Sequence, residues 1–209
     1  MRIQLIYLMC VLLLTACENA PFKIADIQTT TPLVTEPSIL ENSNISLIQR
    51  KKQQSVIAAA FSRRTSPVRA QRLAAICFDK TVGTTFMPFD LAEIALVETG
   101  GHRLSSRAIS ARGARGVWQL MPLRARSHGY SAKDMLDDDK CAEAAICELY
   151  TKLDMARGDI ERAKKYYCGQ GPQATAYMKK IRIIRQEMLS ELTVQNDKLA
   201  LNDAAPKIR

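Results

Sequence analysis

Two histidines, one tryptophan and an aromatic content of 6% are sparse provision for 209 residues. His102 and His128 stand far apart with no surrounding ligand cluster, so they read as surface residues and not as a metal or catalytic pair. None of the six cysteines forms a Cys-x-x-Cys pair, so the usual spacing of a structural zinc site is missing and no cofactor is expected. No segment alternates apolar and polar residues as a half-buried strand would, and no internal repeat is visible. Basic residues do not interleave with aromatics, which argues against nucleic acid as a partner. What the chain has in excess is positive charge, 30 Lys+Arg against 21 Asp+Glu for a net +9, and this suits an acidic partner such as anionic lipid or cell-wall polymer.

The longest apolar run lies at the start, "MRIQLIYLMCVLLLTAC", from Leu5 to Leu14 behind a single early Arg2. It is too short to span a bilayer comfortably and reads as an export signal over residues 1–16. "LTAC", Leu14 to Cys17, resembles the bacterial lipobox, which implies cleavage before Cys17 and lipidation of that cysteine. Glu18 in place of Asp after the lipidated residue favours the periplasmic face of the outer membrane over the inner membrane. Cys10 leaves with the signal, and Cys77, Cys141, Cys147 and Cys168 remain in an oxidising compartment, where two disulfides are expected. Three connectivities are open, with Cys77–Cys141 and Cys147–Cys168 preferred.

Residues 17–65 are rich in Thr, Ser, Asn, Gln and Pro and read as a flexible tether. Everything after them reads helical, giving a mainly α domain over residues 66–192 and a frayed tail over 193–209. Ser66 and Pro67 open the first helix, whose Val68, Leu73, Ile76 and Cys77 form an apolar face. "PFDLAEIALVE" makes the second, ended by Gly100 and Gly101. Further helices follow Pro122, run from about Asp139 to Ala156 behind "DDD" (Asp137 to Asp139) as turn and cap, start after an Asp159 cap, and carry Tyr177, Met178, Ile181, Ile184 and Met188 on one face.

On the second of these helices Leu91, Ala95 and Glu98 follow one another by four and three residues, placing a carboxylate on the stripe its neighbours bury. Burial disfavours its charged form, and the unpaired carbonyls of the helix C-terminus repel a negative charge there. Both raise the pKa, as a general acid requires. The competing placement has Glu98 swinging into solvent or pairing with Arg103 or Arg107. Glu93, on the opposite side of the same helix, reads as an ordinary surface glutamate.

The stretch "AISARGARGVWQLMP", residues 108 to 122, is dense in Gly, Ser and Ala before turning apolar, which lets backbone approach a ligand closely. Glu98-Thr99-Gly100-Gly101 followed by Ser110, Gly113, Ala114, Gly116, Gln119, Met121 and Pro122 resembles, in order and spacing, the core pattern of the soluble lytic transglycosylase family. The likeness runs less tightly through "CAEAAICELYTKL", "YYCGQGP" and "AYMKKIRIIRQEM". It implies a lysozyme-like α-helical fold and cleavage of the β-1,4 bond between MurNAc and GlcNAc of peptidoglycan with a 1,6-anhydro product. It also implies Glu98 as the sole catalytic acid and base, with Ser110 and Gln119 lining the saccharide cleft and Tyr167 near the carboxylate. Trp118 either stacks on a sugar ring or fills the core. Thr99 departs from the usual Ser, Trp118 from Met and Cys168 from Asn. The alternatives carried forward are a lysozyme-like hydrolase and a non-catalytic peptidoglycan-binding or secretion-apparatus lipoprotein, and secretion or conjugation machinery is left open as a partner.

Overall fold

A computed structural model describes residues 37–204, with side chains from 47 to 198. The expected signal, Cys10, Cys17 and the first part of the tether lie outside the described residues. Seven α-helices follow one another: α1 (Pro37–Ser62), α2 (Pro67–Thr81), α3 (Pro88–Thr99), α4 (Pro122–Ser127), α5 (Asp138–Met155), α6 (Ile160–Cys168) and α7 (Pro172–Ala204). Among the described residues the only β-type pairings are two isolated bridges, Ile109 with Arg115 and Arg115 with Leu120. The domain is mainly helical, as expected.

Helix α3 is the axis on which the others pack. Eight of its first nine or so positions are apolar or buried on every side, with Phe89, Leu91, Ala92, Ile94 and Ala95 all at 2% exposure or less. A helix that is apolar all round has no solvent face and has to be enclosed. Here α1, α2, α5 and α7 enclose it. The caps read from the sequence are present: the Ser66 hydroxyl accepts from Arg69 N, Asp137 from Lys140 N and Asp159 from Arg162 N. Val68, however, is 80% exposed, so the buried face of α2 is made by Ala70, Leu73, Ala74, Ile76 and Cys77.

Two boundaries differ from the expectation. The tether read over residues 17–65 gives way to helix from Pro37, and α1 contributes Val56, Ile57, Ala60 and Phe61 to the core. Its buried apolar residues among those described lie in the last two turns, behind the mostly polar run "ENSNISLIQRKKQQS", whose Leu47 and Ile48 are exposed, so the periodic signal covers too few residues to register. Arg50 fixes this helix in place by donating to the carbonyls of Thr81, Thr84 and Phe86, which satisfies the C-terminal end of α2 and the turn beyond it. The frayed tail from 193 is likewise helical to Ala204, because α7 packs along α1, with Ser55 donating to Gln195 at 2.8 Å.

Among the described residues, four free thiols stand in place of the two expected disulfides. Each sulfur meets different surroundings. Cys77 is buried in the core face of α2, Cys141 turns its Sγ toward the Arg115 carbonyl, Cys147 is half-buried on α5 and Cys168 is exposed at the end of α6. Burial pushes the Cys77 and Cys141 thiols upward in pKa, so both are held as the neutral, unreactive form. Cys141 also explains Gly116: with φ of +79°, a Cβ there would lie 2.1 Å from the Met135 carbonyl oxygen and 2.6 Å from the Cys141 sulfur.

Candidate active site

Glu98 stands on the last turn of α3, half-buried, at the wall of a cleft of about 410 Å³. Gly100, Gly101 and His102 continue that wall, and α7 supplies Lys180, Ile183, Ile184 and Glu187 opposite. Neither glycine here is required by backbone conformation, since Gly100 is right-handed helical and neither has positive φ. A Cβ at Gly101 would meet nothing within 4 Å, so the pair leaves space in the cleft wall where side chains would stand.

The turn that follows is strained. Arg103 and Leu104 both have positive φ, at 57° and 52°, a conformation that costs a residue bearing Cβ about 1 kcal/mol or more. Burial of Leu104 and a clamp from α2 hold it: Arg69 donates through Nε and Nη2 to the Leu104 carbonyl while ion-pairing Asp138 at 2.9 Å. Thr99, where the family pattern has Ser, is fully buried and donates to the Val117 carbonyl at 2.8 Å. It thereby ties the end of α3 to the loop of residues 108–122.

Burial is the main cause of the raised pKa of Glu98, which moves from 4.5 to about 7, and the opposing pull comes from Tyr177 and then Lys180. No ion pair forms with Arg103 or Arg107, so the solvent-facing placement is not adopted. Tyr177, 7% exposed, aims its hydroxyl toward the carboxylate without completing a hydrogen bond of normal geometry to any group. Tyr167 lies beside the same carboxylate, and burial followed by the Glu98 charge raises its own pKa well above 10, keeping the phenol protonated. Its hydroxyl donates to the Trp118 carbonyl at 2.8 Å, which fixes the ring without the side chain of an Asn at 168.

The expected saccharide-lining residues separate. Trp118 is fully buried and its indole N–H donates to the Leu91 carbonyl at 2.9 Å, so it fills the core and offers no face to a sugar. Gln119 adopts φ of 51° and donates to the carbonyls of Ala108 and Gly116, bracing the loop. With Tyr167 it lines a second cavity, away from the glycine wall. Ser110 is exposed, and its hydroxyl accepts from Ala114 N at 3.0 Å to close the loop's turn.

A match to the family model described as the transglycosylase SLT domain covers residues 78–183, just over half of the chain. The chain belongs to the transglycosylase SLT domain family. A comparison with curated proteins finds no match. In this SLT domain the residues Glu98, Thr99, Gly100, Gly101, Ser110, Gln119, Tyr167 and Tyr177 all fall inside the matched segment, whereas Arg69 and Glu187 lie outside it.

Glu93 is a correction. It is 0% exposed and belongs to a cluster of four charges that a fifth, the half-exposed Glu161, joins through Lys164: Lys164 ion-pairs Glu93 at 3.0 Å and Asp90 at 3.2 Å, and Arg185 pairs both carboxylates. Burial pulls the Lys164 pKa down, but Glu93 and Asp90 outweigh it and hold the ammonium charged. The missed signal was the pairing of two acids in an otherwise apolar helix with a lone Lys164 on the buried face of α6. Tyr177 was missed as a site residue because its helical spacing with Met178 and Ile181 reads as core.

The raised pKa of Glu98 makes stability depend on pH with a definite sign. Folded, Glu98 keeps its proton to about pH 7, whereas the unfolded chain releases it near 4.5, so stability falls as pH rises through that window. Glu98→Gln removes the titration. Its unfolding free energy relative to the parent is expected to be higher at pH 8 than at pH 4 by up to about 3 kcal/mol, lessened by the cleft's solvent. Urea titrations of both proteins at the two pH values check this, and an equal difference at both contradicts it.

Proposed function

We propose that this SLT domain is a lytic transglycosylase that cuts the β-1,4 bond between MurNAc and GlcNAc of peptidoglycan and leaves a 1,6-anhydroMurNAc end. The observation that carries the reading is a half-buried carboxylic acid, Glu98, on the wall of a cleft of about 410 Å³, where burial pushes its pKa up to about 7. Glu98 gives its proton to the glycosidic oxygen, and the GlcNAc leaves as an alcohol. The carboxylate so formed takes a proton from the C6 hydroxyl of MurNAc, whose oxygen attacks the anomeric carbon and closes the anhydro ring. Water is not consumed, and Glu98 ends protonated.

The neighbours suit both halves of that cycle. Burial favours the acid form before cleavage, while Tyr177 and Lys180 pull in the other direction and stabilise the carboxylate after it. The Tyr177 hydroxyl has no other partner, so it is free to donate to the charged form when that form appears.

A hydrolase is the second reading, and one residue favours it: Glu187 lines the same cleft and could activate a water as the second carboxylate of an inverting glycosidase. The N-terminal motif Leu14–Cys17 supports export and a lipid anchor, with the enzyme held at the periplasmic face of the outer membrane, where its glycan substrate lies.

Digestion of purified sacculi followed by mass spectrometry separates the readings. The parent is expected to release muropeptides lighter by one water than hydrolytic products, and Glu98→Gln to lose at least about a hundredfold in rate. Hydrated ends abolished by Glu187→Gln would establish the hydrolase, and unchanged release by Glu98→Gln would remove Glu98 from the chemistry. Fractionation of cells carrying Cys17→Ser is expected to move the protein from the membrane to the soluble periplasm, and retention in the membrane would contradict the lipid anchor.

A further inference from the structure

Helix α5 carries a second charged cluster with no part in the chemistry above. Glu148, 5% exposed, meets Lys152 at 3.0 Å one turn along the helix, His128 Nε2 at 2.8 Å and Arg124 Nε at 3.7 Å. One carboxylate therefore faces an ammonium, a guanidinium and an imidazole. Even with the imidazole neutral, the cluster carries an unbalanced positive charge, and Lys152 is itself only 5% exposed. Burial makes such a surplus costly, because the ammonium cannot swing into water to relieve it.

The cluster forms one side of a cavity of about 160 Å³ whose other walls include Gln119, Tyr166, Tyr167 and Gly169. Tyr167 feels the Glu98 charge as well, so the cavity lies one side chain away from the acid. Donors there are in surplus. Among the described residues the Lys152 ammonium, with three N–H groups, has a single carboxylate partner, and the terminal nitrogens of Arg124 have no acceptor, its contact with Glu148 being through Nε.

We propose that this cavity is a carboxylate-binding subsite of the glycan cleft, in which Arg124 and Lys152 receive an acidic group carried by the strand. This rests on the peptidoglycan reading above and adds which feature of the strand is recognised. Two sources offer that chemistry: the lactyl carboxyl of MurNAc, free on a bare strand, and the carboxylates of the peptide stem on a substituted one. GlcNAc oligomers offer neither.

Calorimetry on the full chain carrying Glu98→Gln, which binds without cutting, tests the subsite with three probes: a GlcNAc tetramer, a stem-free GlcNAc–MurNAc tetrasaccharide, and the same tetrasaccharide with its peptide stems. A charge-assisted contact predicts that at least one carboxylate-bearing probe binds about tenfold tighter than the neutral tetramer. Which probe shows the preference identifies the source. Arg124→Gln, at a side chain 53% exposed and so replaceable without opening the core, is expected to shrink that preference to about threefold or less. The paired change Glu148→Gln with Lys152→Met, which leaves no lone buried charge, is expected to do the same. Equal affinity for charged and neutral probes, no binding of any probe, or a preference that survives Arg124→Gln each overturns the subsite. Cleavage of sacculi by the parent with any of these results contradicts the subsite alone, whereas no cleavage removes the transglycosylase reading as well.

Discussion

The four-charge cluster of Asp90, Glu93, Lys164 and Arg185 decides where everything else at the site stands. It joins α3, α6 and α7 at one buried point, and each of those helices delivers one part of the surroundings of Glu98. Tyr167 comes from α6, Tyr177 and Lys180 from α7, and the acid itself from α3. Such a cluster is not a cheap source of stability, because desolvating four charges offsets much of their attraction. Its contribution is geometric. Directional pairs between named atoms fix the rotation of three helices in a way that apolar packing alone leaves looser.

Two carboxylates on α3, five residues apart, are thereby given different surroundings. Glu93 is fully buried yet faces Lys164 and Arg185 at ion-pair distance. Desolvation is the largest influence on both and raises both pKa values; Glu93 has two cations at ion-pair distance to oppose it, whereas among the described residues no cation pairs with Glu98 directly. What separates the two is therefore position and partners: Glu93 is enclosed and joined to Lys164 and Arg185 across three helices, whereas Glu98 lines an open cleft where a substrate can reach its carboxyl.

Much of this was legible before any coordinates. The helices, their Ser66, Asp137 and Asp159 caps, the stripe bearing Glu98 and the loop of small residues all follow from spacing and residue type. What was not legible has one physical cause, that sequence periodicity reports a helix's own faces and not what other helices bring to them. Glu93 reads as a surface acid until Lys164, 71 residues away, arrives beside it. Trp118 offers a sugar platform on paper, but in the fold its indole is spent on the Leu91 carbonyl. The polar first half of α1 conceals a helix whose last turns are core, and Arg50 finds its acceptors only once α2 has ended nearby.

The account rests on the packing of α6 and α7 making the carboxyl of Glu98 slow to ionise, and that ionisation can be watched directly. Carbon-13 labelling of the glutamate side chains, with the Glu98 resonance assigned by its loss in Glu98→Gln, gives a titration curve for this one group in the folded protein. A midpoint near 7 is the predicted result. A midpoint in the ordinary carboxylate range, about 4.3, would mean that the cleft leaves Glu98 hydrated and would contradict the claim.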